Sequence, residues 1–233
     1  GIYLWENSPY VKNYPELYFL NYVLFHRTND EEIKPCRTYF WEKIKDKVQG
    51  KTMVEAALEI NHWCAGEVMY QGTDMRTGSA LEIYRSGVGR CGEEAVFVVN
   101  VMRSAGIPAR PVYVPRWSHC DDNHAWVEVW CDGDWHYLGA CEPEAVLDKS
   151  WFTNAASRAM MIGSRWYDRA MPDEKVIGKD GMNRIINLLG KYAKTRWITI
   201  TVEDLDGTPA AGAKVRAEVM NYGEFSPIAI MEA

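Results

Sequence analysis

Apolar residues recur at spacings of three and four through "YPELYFLNYVLFHR" (14–27), "TYFWEKIKDKVQG" (38–50) and "KTMVEAALEINHWCAGEV" (51–68), which predicts three helices. Thr52 with Glu55 supplies a capping box for the third. The pattern then changes: "AVFVVNVM", from Ala95 to Met102, is apolar nearly all round, as in a helix buried on most sides. Gly106 ends that helix, and "IPARPVYV" resumes as a strand interrupted by Pro108 and Pro111. "HAWVEVW", "CDGD" and "WHYL" read as strand, turn and returning strand, a β-hairpin that opens at His124. After it, "EPEAVLDKSWFTNAASRAMMIGSRW" reads as core or cleft lining.

Alternation reappears beyond 195 in "RWITITVEDLDGTPAAGAKVRAEVMNYGEFSPIAI", with "DLDGTP" as a turn. Three strands are too few to close a sandwich of about seven. The expected organisation is therefore α+β: a domain over 1–190 with helices packed on an antiparallel sheet, then an incomplete β-sandwich-like module over 195–233. The strands of that module are expected to lean on the preceding domain or on another molecule.

Composition narrows the function classes. The chain has 233 residues, 47% of them hydrophobic, with ten tryptophans and thirteen tyrosines, a well-packed globular composition with no tract long enough to span a bilayer. Net charge is −6, and no basic cluster is interleaved with exposed aromatic residues, which argues against a nucleic-acid partner. Locally the balance inverts: Arg85, Arg90, Arg103, Arg110 and Arg116 outweigh Glu93 and Glu94. These arginines either lower the pKa of a nearby thiol and attract carboxylates, or pair locally and brace the fold.

The thiol in question is Cys91, between glycines at the start of the buried helix. Unsatisfied N–H groups and the positive end of the helix dipole converge there, so a thiolate is stabilised and its pKa is expected to fall. The competing reading is a small buried apolar residue. His124, at the first position of the hairpin beside a polar loop, is the partner that favours catalysis, because a thiolate–imidazolium pair needs proximity in space and not in sequence.

"GRCGEEAVFVV", "AGIPAR", "NHAWVEVW" and the "DG-W" hairpin together resemble the core of the transglutaminase-like superfamily, whose fold is related to papain-type cysteine proteases. "YQGTDMRTGSALEIYRSG" looks like the lead-in of its bacterial members. The resemblance implies that Cys91 is the nucleophile and His124 the general base and acid, acting on an amide or similar acyl group through a thioester. The family commonly carries its third catalytic residue as an aspartate in a pattern like "W-x-x-L-D". Here "WHYLGACEPE" has Gly139 at that position, so Glu142 is the first candidate to orient the imidazole, with Asp121 and Asp122 as second choices. One oxyanion donor would be the Cys91 backbone N–H, and a second could come from Gln71, Tyr84 or a tryptophan. The tail is similar to the start of immunoglobulin-like modules related to carboxypeptidase regulatory domains.

The expected activity is hydrolysis of amide bonds in peptides or glycopeptides. This is preferred to protein cross-linking because the resemblance is bacterial and no calcium loop is recognisable. A noncatalytic binding or scaffold module is the alternative that Gly139 motivates. No cofactor is expected. "HCDDNH" groups His119, Cys120 and His124 but lacks the paired spacing of a zinc site, so no metal is expected either. Six cysteines are few for a disulfide scaffold of this size. The opening "GIYLWENSPY" lacks a methionine, which suggests a trimmed or processed chain, and the resemblance favours a periplasmic or secreted location.

Overall fold

The computed structural model of the chain describes residues 1–74, 76–166, 174–181 and 183–233. It divides into two compact units, one of residues 1–112 and 125–151, the other of residues 113–124 and 152–233. This division does not coincide with the boundary expected at 190–195. The reason is local: the strand after the buried helix continues into Tyr113, which pairs with Gly163 from beyond the hairpin, so the second unit draws on both stretches.

The first unit begins with α1 (Ile2–Asn7) and α2 (Glu16–Phe19), which runs on into a π-helical turn, Leu20–Leu24. Then come α3 (Arg37–Val48) and α4 (Met53–Glu67), the latter opened by the expected Thr52–Glu55 capping box. A short parallel pair, β1 (Met69–Tyr70) with β2 (Val88–Gly89), brackets α5 (Ala80–Ser86). Helix α6 (Cys91–Ala105) follows, buried at every residue from Glu93 to Ala105 and packed against α3, α4 and α5. Val96, Phe97, Val98, Val99, Val101 and Met102 are fully buried, and burying a side chain of this kind stabilises by about 1.5–3 kcal/mol. Strand β3 (Ala109–Val114) leads into the second unit. Strands β4 (His124–Cys131) and β5 (Asp134–Leu138) form the expected hairpin, with Val127 opposite Leu138 and Cys131 opposite Asp134. Asp132 (φ 51°) and Gly133 (φ 92°) turn the chain with both residues left-handed, as a two-residue hairpin loop requires. Val127, Val129, Leu138 and Ala140 join the core built on α6, so helices and sheet share one apolar interior.

The arginines near α6 brace the fold. Arg103 is buried and donates to the carbonyls of Phe25, Arg27 and Ala109, its pKa pulled down to about 9 by burial. Arg110 and Glu128 form a buried ion pair at 2.7 Å, with the guanidinium 4.0 Å from the centroid of the Trp135 ring.

The second unit holds three antiparallel strands, β6 (Gly163–Trp166), β7 (Val176–Asp180) and β8 (Asn183–Asn187), in the order β6-β8-β7, with the last in sequence between the other two. Two short helices, α7 (Thr153–Ala156) and α8 (Leu189–Tyr192), flank it. The tail forms one hairpin, β9 (Lys214–Asn221) with β10 (Glu224–Glu232), and an isolated bridge between Glu203 and Pro209. The first of the three strands expected here does not form: Trp197 and Ile198 are about four-fifths exposed, so neither face of that extended stretch is covered.

Gly106 ends α6 with φ 86°, its helix closed by the Ile107 N–H donating to the Met102 carbonyl. A Cβ there would stand 2.6 Å from Ser8 Oγ, which donates to the Ala105 carbonyl. Gly106→Ala combines a left-handed backbone with that clash, and is expected to cost about 2 kcal/mol, seen as a lower midpoint in urea unfolding.

Candidate active site

Cys91 is the first residue of α6, and the segment before it is fastened to that helix start. The Glu93 carboxylate accepts from the backbone N–H groups of Arg90 (3.2 Å) and Gly78 (3.0 Å) and from the Thr73 hydroxyl. The Arg90 guanidinium donates to the carbonyls of Asp74 (3.1 Å) and Arg76 (2.7 Å). The Gln71 N–H donates to the Gly89 carbonyl (2.9 Å), which sets Gln71 alongside the strand that enters Cys91 and leaves its side chain exposed. Tyr84 goes elsewhere. Its ring lies within about 6 Å of Phe40, Trp63 and Phe97 in the aromatic packing of the core, and its hydroxyl engages Tyr39 and Glu67.

Cys91 is partly buried, and burial pushes its thiol up from the ordinary value. The backbone amides of Ala125 and Gly92 pull the other way, Glu94 raises it further and Arg90 lowers it. The expected fall in pKa is therefore corrected to a rise, because loss of water around the sulfur outweighs the amides of Ala125 and Gly92. Ala125 is the residue that follows His124 in the chain.

His124 is buried in the second unit between aromatic rings, Phe152 at 5.1 Å and Trp117 stacked at 6.4 Å. Burial depresses its pKa to about 4, partly opposed by the charge of Asp122. Asp121 is taken up by an ion pair with Arg116.

Gly139 and Glu142 face each other across a tight turn. The Glu142 N–H donates to the Gly139 carbonyl (3.1 Å), and Cys141 between them is left-handed (φ 57°). A Cβ added at Gly139 would meet Glu142 Oε2, with Glu142 Cβ at 2.8 Å and Cδ at 3.1 Å. The Glu142 carboxylate thus fills the space that a side chain at 139 would take. Asn61, buried on α4, fixes this turn. Its Nδ2 donates to the carbonyls of Gly139 (2.9 Å) and Glu142 (3.4 Å), and its Oδ1 accepts from the Cys141 N–H (3.0 Å). Trp151 Nε1 donates to both Glu142 oxygens at 3.0 Å. Burial raises the Glu142 pKa and the indole lowers it.

Residues 42–140 match the transglutaminase-like superfamily. That stretch is a transglutaminase-like core. Its helices packed on an antiparallel sheet are the papain-like α+β arrangement of that superfamily. Cys91 and His124 lie inside the match, and Glu142 lies two residues past its end. No curated protein matches the chain. Among solved structures it is similar to a provisionally assigned cysteine protease of Cytophaga hutchinsonii (16% identity, TM-score 0.40, covering 65% of this chain and 57% of that one). It is also similar to Legionella pneumophila LapG (17%, TM-score 0.39, covering 48% and 66%). A provisionally assigned protease of Parabacteroides distasonis is a third (18%, TM-score 0.42, covering 55% and 25%). The chain thus spans a quarter to about two thirds of the lengths of these proteins.

Three residues around the transglutaminase-like core were not singled out by sequence: Asn61, Trp151 and Glu94. Asn61 and Trp151 gave no signal, since each acts on a turn whose shape only the fold reveals. Glu94 had one, standing three residues after Cys91 on the same helix face. All six cysteines are free, and among the described residues no cluster could hold a metal ion and no helix is long and apolar enough to cross a membrane.

Glu94 is buried, and desolvation, then the charges of Glu142 and Glu93, push its pKa up to about 8. The folded chain therefore keeps this proton between about pH 4.5 and 8, where the unfolded chain releases it, so the group lowers stability as pH rises through that interval. Urea unfolding of Glu94→Gln is expected to show a flatter decline over this range and a higher midpoint than the native chain near pH 8.

Proposed function

We propose that the chain is a cysteine-dependent acyl-transfer enzyme that hydrolyses amide bonds in peptides or glycopeptides. Cys91 Sγ attacks the amide carbonyl carbon while its proton passes to His124, giving a tetrahedral adduct. The Cys91 backbone N–H, with Gln71 beside the entering strand as a second donor, receives the developing oxyanion. His124 returns the proton to the leaving nitrogen, the C–N bond breaks, and a thioester on Cys91 remains. A water deprotonated by His124 then releases the acid and restores the thiol. With the thiol pKa raised and the imidazole pKa depressed, the resting pair is neutral, and the anion is generated as the carbonyl arrives.

Glu142 is the residue proposed to orient the imidazole. The observation that carries this is its carboxylate lying over Gly139, which restores an acid to the place where the family commonly has an aspartate. Asp122, whose charge already acts on His124, is the alternative acid. Water is favoured over an amine as acceptor on the grounds of sequence alone.

A library of peptide and glycopeptide amides tests the reading, with intact mass used to detect an acyl adduct on Cys91. Cys91→Ala is expected to abolish both adduct and turnover, and Glu142→Ala to lower kcat about a hundredfold. Gly139→Asp placed in a Glu142→Gly background is expected to recover about a tenth or more of the lost rate, since removing both the carboxylate and the Cβ of residue 142 opens the space and the acid is back. Turnover that survives Cys91→Ala would defeat the proposal. A Glu142→Ala chain as active as the native one would shift the orienting role to Asp122.

A further inference from the structure

The loop that leads into His124 is tied to the last hairpin of the chain. Asn221, the final residue of β9, is buried, and its Nδ2 donates to the carbonyls of Trp117 (2.9 Å) and Cys120 (3.1 Å). Asparagine beside a hairpin turn commonly bonds its own backbone or faces solvent. Its neighbours here do face solvent, Met220 being 61% and Tyr222 82% exposed. A buried amide has to find partners, and these two carbonyls belong to the loop of residues 115–123, which has no regular secondary structure.

The far side of that loop reaches the imidazole. The Trp117 N–H donates to the Asp122 carbonyl (2.8 Å), which closes the loop on itself, and the Trp117 indole stacks on His124 with an interplanar angle of 26°. Charged and titratable groups around it are Asp122, which acts directly on the ring, the Arg116–Asp121 ion pair, and His119, whose ring is 5.8 Å from that of Trp117. Ordering an irregular loop costs backbone entropy, so its fixed points decide how firmly Trp117 is held.

We propose that Asn221 is a positioning residue: by clamping the Trp117 and Cys120 carbonyls it holds the Trp117 indole against His124, so that the C-terminal hairpin sets the orientation of the imidazole. Its consequence for turnover rests on the reading of His124 as the general base. The hairpin is then a working part of the site, and changes in what covers it would be felt at the imidazole.

The test is an NMR titration of the His124 ring in the full chain, in Asn221→Ala, in the similarly shaped and uncharged Asn221→Leu, and in Met220→Ala as a control on the same strand. With the clamp lost the loop loosens and water reaches the ring, so both Asn221 variants are expected to titrate at higher pH than the native chain, toward the ordinary histidine value. Met220→Ala should titrate as the native chain does. With an amide substrate, kcat should fall about tenfold in both Asn221 variants while KM stays within about twofold. Asn221→Leu keeps the branched side-chain shape and removes the donor without adding a charge, so a role limited to packing predicts no change in it. Unchanged His124 titration in both Asn221 variants would overturn the proposal. A native chain without amide turnover would defeat the functional reading instead, and the titration would still decide the clamp.

Discussion

Burial of α6 is the constraint from which the rest follows. A helix that is buried on all its faces has only its ends available to solvent, so whatever chemistry it offers must sit there. At the C-terminal end the chain leaves through Gly106 under the cover of Ser8 and Tyr14, whose hydroxyls take up the Ala105 and Gly106 carbonyls. At the N-terminal end it begins with Cys91, and the polar residues of the first turn serve the approach: Glu93 binds three donors from the segment that precedes it. Packing thus fixes the sulfur's position before any partner is considered.

The sequence carried the transglutaminase-like elements because their signals are local. A capping box at Thr52, an apolar run ending at Gly106 and a turn at Asp132–Gly133 each depend on a few adjacent residues, and each forms as expected. The tail was harder to read. Alternation in "WITI" specifies a strand only if a neighbouring edge accepts it, and that stretch stays extended and exposed, whereas Lys214–Glu232 pairs with itself. His136 illustrates the same limit on a smaller scale: nothing in the sequence around it shows a partner, yet its Nδ1 lies 2.6 Å from Asp148, twelve residues on.

Glu142 was legible only as an acid close to a missing one. What makes it a plausible substitute is invisible in one dimension, because an extra methylene and three further residues would normally carry a carboxylate away from position 139. The left-handed Cys141 folds it back, and Asn61, some eighty residues earlier, holds both strands of that turn with one side-chain amide. Gly139 is then required by Glu142, since a side chain there would occupy the same volume. The departure from the family pattern and its candidate remedy are two halves of one steric arrangement.

Desolvation acts on this site in two opposing senses. It raises the thiol of Cys91, which makes the resting sulfur less reactive, and it raises Glu94, one turn along the same helix, until that carboxyl carries a proton near neutrality. A charged Glu94 would disfavour a thiolate at Cys91 by direct repulsion, and at the short range of adjacent turns such repulsion is weakly screened. If Cys91 is the nucleophile as proposed, keeping Glu94 neutral removes that opposition as the sulfur becomes an anion, and leaves the amides of Gly92 and Ala125 as the groups that face the new charge. In the proposed mechanism the same dry surroundings that suppress the thiolate at rest therefore withdraw the neighbouring charge that would most resist its formation.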